Sequence, residues 1–423
     1  MSADRPGASR RSFHELDISD SAFWRNNFRT RDRTFATLRS EPGLSWHPPV
    51  ESIFPHEERG YWAVTRHADI QQISRHPEIF CSRMGISMDP MPAEMQRAIS
   101  FFLTMDPPEH TRYRKLISSA FTPKQVRRIE SQIRANAAVV VDELLADLRA
   151  DGTVDFAATY AKRLPMRTIS DMIGLDPADR EPVAFAVESL FSTTDEEYAS
   201  LAERAPHLMR QLAVLTGAGI DLARRRRERP REDLMSGIVA AEVDGHRLSD
   251  EEIGAFTVLL GSAGNDTTKQ ASSHALAALA AHPTQRAWLL ADFDERIDGA
   301  VEEFVRWATP VMHFARHATV DTEVAGTPVA AGEKLVLFYC SANRDAAVFD
   351  HPHAFDLSRS PNPHVGFGGP GPHFCLGRQL AKMELRHLFR ELLTRLPDFD
   401  VGEPDYVHSD FVHGIKRLPL SLR

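Results

Sequence analysis

The sequence predicts a mainly α-helical protein with small β-sheets, on three observations. Helical apolar spacing fills most segments, β-branched and aromatic runs are few and short, and one proline-free stretch is long enough to cross a whole domain. Between Gln125 and Leu148, Val126, Ile129, Ile133, Ala137, Val140 and Leu144 recur at threes and fours, which predicts one helix. The segment YWAVTRHAD (61–69) predicts a short strand turning into a helix, and KLVLFYC (334–340) a second strand. S-D-E-E at 249–252 is a capping box, with Ser249 as cap and Glu252 returning a bond to it. The helix it starts should run to about Ala281, a length of about 48 Å at about 1.5 Å per residue. A further helix is predicted over 378–396, where Leu380, Met383, Leu388 and Leu392 form one apolar face.

Residues 1–12 carry Pro, Gly, Ser and Arg without periodicity and predict a disordered leader, leaving 13–423 as a single domain. Prolines at 283, 310, 328 and 352 punctuate the C-terminal half without a long linker, and no internal repeat is evident. A formal net charge of -9 argues against nucleic acid as a partner, because duplex binding needs a basic surface. The basic run Arg224–Arg227 is diluted by Glu228, Glu232 and Asp233 and reads as a solvated helix end. Three cysteines, Cys81, Cys340 and Cys375, lie far apart, which suits a reducing compartment and no disulfide framework. The N-terminus lacks a signal-peptide core and no run approaches roughly 18 apolar residues, so no membrane anchor and a cytoplasmic location are expected.

The middle of the long helix, LLGSAGNDTTKQ (259–270), breaks the rules for a buried helix. Interior glycines each cost about 0.5–1 kcal/mol against alanine, and Asp and Thr divert backbone hydrogen bonds, so a local bulge or groove is expected. One reading has Gly264 admitting a ligand to the backbone while Asp266 and Thr267 handle protons or an ordered water. The other is a packed Gly/Ala contact with two solvated polar residues.

The loop HVGFGGPGPHFCLG (364–377) sets Cys375 at a helix entrance, where the helix dipole and backbone N–H groups favour a thiolate. Its glycines allow positive φ and close approach to a flat ligand, while Pro370 and Pro372 stiffen it. A soft thiolate suits iron. A phosphate-cradling loop lacks its Gly-Lys-Ser/Thr ending here, a nucleophilic cysteine lacks a well-placed base because His373 is only two residues away, and a plain turn stands beside these.

Four segments together, A-G-N-D-T-T at 263–268, E-x-x-R at Glu303–Arg306, FDLSR ending at Arg359 and the cysteine loop, resemble the cytochrome P-450 family of haem-thiolate monooxygenases over nearly the whole chain. The resemblance implies that family's fold, with haem b buried between the long central helix and the cysteine-loop helix. It implies Cys375 as the metal ligand, with Gly264 and Phe367 beside the cofactor and His110, Arg114, Arg316 and His373 on the propionates. Asp266 and Thr267 would relay protons to dioxygen. Glu303, Arg306 and Arg359 would form a buried structural network, each member needing a partner.

Phe367 lies one residue farther ahead of Cys375 than the family's usual spacing. That longer loop and the ending FVHGIKRLP (411–419) resemble an actinobacterial subgroup acting on sterols and methyl-branched lipids. The expected reaction is terminal (omega) hydroxylation of methyl-branched fatty acids or isoprenoid lipids. The alternatives are a sterol side-chain hydroxylase, or a haem-binding sensor or carrier without oxygenase activity. Met84, Ile86, Met88, Met91 and Met95, with Val258, Leu259 and Ala263 and with Val311, Met312 and Phe411, are candidates to line the pocket, although methionine is more often core filler. Electrons are expected from NAD(P)H through a ferredoxin reductase and an acidic ferredoxin, docking on a basic patch of Arg112, Lys115, Lys124, Arg127, Arg128, Arg378 and Lys382. A monomer is expected.

Overall fold

A computed structural model describes residues 11–52, 54–192 and 201–423. Its centre is the helix Asp250–Ala281, capped by Ser249, whose hydroxyl accepts the Glu252 N–H while the Glu252 carboxylate accepts the Ser249 N–H. Pro283 opens the next helix, Pro283–Ala291, immediately after this one ends. Both predicted ends are therefore observed. The expected bulge is not: the segment is α-helical throughout. Thr267 is accommodated instead by donating its hydroxyl to the Ala263 carbonyl at 2.7 Å, one turn back.

The helix predicted over 125–148 spans Pro123–Asp151, with Thr122 capping its start and Gly152, at φ 74°, ending it. Ile129, Ile133, Ala137, Val140 and Leu144 are buried in the main core, whereas Val126 reaches solvent. The helices Arg163–Ile173, Pro177–Ser192 and Phe293–Ala308 and the C-terminal helix Arg378–Arg395 surround the central helix.

Strands Tyr61–Val64 and Lys334–Phe338 pair in parallel inside a five-stranded sheet. His313–Ala318 lies antiparallel on the other side of Lys334–Phe338 and brings Arg316 inward. A second core, around Trp24, Phe35 and Phe338, underlies this sheet.

Residues 1–10 of the expected leader lie outside the described residues, but Arg11 is described and is held by Glu333 at 2.9 Å. The described chain thus begins inside the leader expected over 1–12. The Arg224–Arg227 run is not a simple solvated end: Arg226 is buried against Asp233 and the Gly174 carbonyl, because those partners lie on elements the sequence does not place beside it. Among the described residues, no helix is long and apolar enough to cross a membrane.

Candidate active site

The central helix is buried along most of its length, yet Leu260, Ala263, Gly264 and Thr267 are partly or fully accessible in its middle. Their spacing of three and four puts them on one face, so the accessibility marks an internal recess on that face. Gly264 is closely flanked: a Cβ there would sit 3.0 Å from Ile169 Cδ1. Val258 is fully buried and Leu259 nearly so, because 100° per residue turns Val258 off this face and leaves Leu259 at its edge.

Asp266 points away from that face into protein. Its carboxylate accepts the Gln270 amide N–H at 3.3 Å and has the Lys269 ammonium 3.9 Å away. Burial raises its pKa, offset in part by Lys269 and Gln270.

Cys375 donates its backbone N–H to the Phe367 carbonyl at 3.1 Å, which closes the loop on itself. Gly371, at φ 152°, has no room for a side chain, since a Cβ would lie 2.0 Å from the Ser74 carbonyl oxygen. The loop thereby lies flush on the helix His67–Arg75. The sequence favoured a low thiol pKa at the helix entrance. In the folded chain burial pushes the Cys375 thiol up, with the Gly377 N–H, Arg114 and Arg378 drawing it partly back.

Four cationic or basic side chains from three separate regions converge beside the loop. The His110 and His373 rings lie 4.1 Å apart, centroid to centroid. His110 is fully buried with neither ring nitrogen hydrogen-bonded. Arg114 donates to the Phe374 carbonyl at 2.7 Å, and Arg316 donates, among the described residues, to its own neighbour, the Ala315 carbonyl, at 2.7 Å. Burial and the nearby Arg114 hold the His110 pKa down to about 4, and burial followed by Arg316, His110 and Arg114 depresses that of His373 well below the usual histidine range. The nearby carboxylate, Asp106, is already taken by Arg83 at 2.9 Å and the Ser82 N–H at 2.7 Å. The histidines are therefore neutral, and the cost falls on the buried Arg316 charge, which among the described residues has no carboxylate within salt-bridge distance. The two arginines, the unpartnered ring nitrogens of His110 and a cysteine at the loop's end therefore fit a cofactor that carries carboxylates and a thiolate-bound metal, such as haem.

Below the loop, Glu303 and Arg306 form a fully buried bidentate pair with both bonds at 2.7 Å. Arg359 lies 3.4 Å from Glu303, and Asn362 and the Asp356 N–H complete the carboxylate's partners. Arg306 also donates to the carbonyls of Asn343, Pro352 and Ala354. Sequence reasoning missed Asn343, whose side chain joins Thr309 to the Val365 N–H at the start of the cysteine loop. It also missed the buried Gln270 and Glu384, as no spacing rule connects either to its distant partners.

The pocket candidates are scattered. Met88 and Met312 pack in the second core and Ile86 is buried, whereas Met84 is half exposed. Val311 bridges to Val412, and Phe411 packs edge-on to Phe314. In the basic patch, Lys382 is paired with Glu302 and Lys124 with Glu232, while Lys115 and Arg127 are exposed.

Residues 220–401 match the family model described as Cytochrome P450. The chain is 40% identical over 408 residues to the methyl-branched lipid omega-hydroxylase of Mycobacterium tuberculosis, covering 96% of this chain and 94% of that one. It is 36% identical over 389 residues to the steroid C26-monooxygenase of Mycolicibacterium smegmatis, covering 90% and 88%. A Mycobacterium marinum cytochrome P450 solved in complex with pseudoionone superposes with a TM-score of 0.93 at 51% identity, over 97% of this chain and 99% of that one. On full-length identity and matching fold, the chain belongs to the cytochrome P450 family and is a haem-dependent monooxygenase.

Proposed function

We propose that this enzyme hydroxylates methyl-branched fatty acids or isoprenoid lipids at or near the chain end, with Cys375 as the thiolate that would hold the haem iron. The observation that supports the site assignment is the convergence of Cys375 with the buried His110 and Arg316 and the partly buried Arg114 and His373, with neither ring nitrogen of His110 hydrogen-bonded. When bound, the haem activates dioxygen, using two electrons from a redox partner. His110, Arg114, Arg316 and His373 would hold its carboxylates by charge-assisted hydrogen bonds. Gly264 keeps the helix surface low where oxygen enters, and Phe367 shields the cysteine from water. Asp266 supplies protons from the protein side, and Thr267 Oγ1, on the accessible face, passes them on. Glu303, Arg306 and Arg359 hold the floor on which the loop rests.

The similarity to the methyl-branched lipid omega-hydroxylase supports the substrate class. So does the complex of the 51%-identical structure with pseudoionone, an acyclic methyl-branched ketone. A sterol side chain is the second reading, favoured by the likeness to the steroid C26-monooxygenase. The electron donor is an acidic ferredoxin served by its reductase, attracted to the surface carrying Lys115 and Arg127. The enzyme works as a monomer, and its three free cysteines suit a reducing cytoplasm.

The reduced, carbon monoxide-bound protein should show a strongly red-shifted Soret band that Cys375→Ala abolishes. Its absence in fresh protein refutes thiolate ligation. Parallel turnover of a methyl-branched fatty acid and a sterol should favour the former; exclusive turnover of a polar macrolide sinks the substrate assignment.

A further inference from the structure

We propose that Gln270 is a positioning residue that orients Asp266 through a relay running to the C-terminal hairpin, in which the strands Asp405–Tyr406 and Ile415–Arg417 pair antiparallel, and so sets the proton delivery assigned above to Asp266. The geometry fixes the amide's orientation. The Ile415 backbone N–H points at Gln270 from the strand Ile415–Arg417 at 2.7 Å and needs an acceptor, which only Oε1 of the amide can be. Nε2 therefore faces the other way and donates to Asp266 Oδ1 at 3.3 Å. The side chain is almost fully buried, so water does not replace it on either side. Gly414 is part of the arrangement: a Cβ there would lie 3.3 Å from Gln270 Nε2 and 2.9 Å from Val407 Cγ2, crowding the amide.

This relay ties two distant pieces of chain together. The segment that holds the amide also carries Phe411, which packs on Phe314 two residues before Arg316. A shift of the hairpin reaches Asp266 through a single side chain. The other charged groups acting on Asp266 are Lys269 on its own helix and Glu188 on the helix Pro177–Ser192, the latter held by Lys162 at 2.7 Å.

The inference rests on Asp266 handling protons, and Gln270→Glu separates the two ideas. The glutamate keeps the volume and still accepts the Ile415 N–H, but it presents a second oxygen to Asp266 in place of a donor. Two carboxylates at that distance share a proton. The expected result is a pH profile of coupled product formation displaced upward by about one unit or more. The infrared band of a protonated carboxyl, assigned by its loss in Asp266→Asn, should likewise persist to higher pH. Gln270→Met, which keeps the volume and makes neither bond, serves if the glutamate variant loses the carbon monoxide band; it should raise peroxide formation per NADPH several-fold. Profiles and infrared titration superimposing on wild type in the position-270 variants, while Asp266→Asn disturbs turnover, overturn the Gln270 assignment. Undisturbed coupling in Asp266→Asn overturns the role of Asp266 itself, and the relay with it.

Discussion

Glu384→Gln should stabilise this protein, and increasingly so as pH rises. Glu384 lies on the C-terminal helix, is 2% exposed, and sits beside the hydroxyls of Thr168 and Thr268. Its Oε1 has no hydrogen-bond partner, and among the described residues no cation pairs with it. Burial pushes its carboxyl up from 4.5 to about 8, the two threonines drawing it partly back. The sign follows from proton counts. Between those two values the folded chain keeps a proton that the unfolded chain has released, so stability falls as pH rises through the window and levels off above it. The slope is about tenfold in the folding equilibrium per pH unit, a total of about 5 kcal/mol by linkage. Glutamine has the same shape and no charge, so the cost disappears. For a chain of this length about 1 kcal/mol corresponds to about 1 °C in melting temperature, so the variant should gain about 5 °C over wild type at pH 9 and almost nothing at pH 5. Calorimetry of the haem-loaded proteins across pH 5–9 reads this directly. A melting-temperature difference that does not change with pH would refute the argument, because no other consequence of the substitution titrates there.

Arg306→Ala takes the bidentate partner from the buried Glu303, leaving it Arg359, Asn362 and the Asp356 N–H, and also strips the donor from the Asn343, Pro352 and Ala354 carbonyls, so it should cost about 3–5 kcal/mol. Thermal melts and loss of the carbon monoxide band check this; an unchanged melt contradicts the role given to the network. Arg316→Leu should separate cofactor holding from folding. Haem should transfer to apomyoglobin about tenfold faster or more with one charge-assisted bond lost, while the haem-free chain becomes more stable once an uncompensated buried charge is gone. Destabilisation of the haem-free chain would argue against that cation awaiting a carboxylate. Gly264→Val places a Cβ at the 3.0 Å approach to Ile169 and should cost about 1–3 kcal/mol in overpacking, seen as a lower melting temperature with narrowed access to the recess. A melting temperature equal to wild type would mean the two helices have room to spare.

The sequence alone determined what is local or periodic. The capping box at Ser249, the apolar spacing of 129–144 and the cysteine loop are each written within a few turns of chain, and the structure carries all three. The motif order was also enough to identify the family, because four segments with separate structural tasks coincide. What tertiary structure decided is whatever depends on neighbours far away in the chain. Thr267 could have broken its helix, but bonded back to Ala263 inside a tightly packed one. Val258, Met88 and Met312 are apolar and near the right motifs, yet which side of a helix or sheet they occupy is set by the packing of other elements. Arg226 read as a solvated end until Asp233 and Gly174 enclosed it. The thiol at Cys375 illustrates the division most directly: position at a helix entrance favours a thiolate, but burial, which no local pattern encodes, raises its pKa in the folded chain. Gln270 and Glu384 belong to the same class, since a polar residue on a helix declares its role only when its partners, here Ile415, Thr168 and Thr268, arrive from elsewhere in the fold.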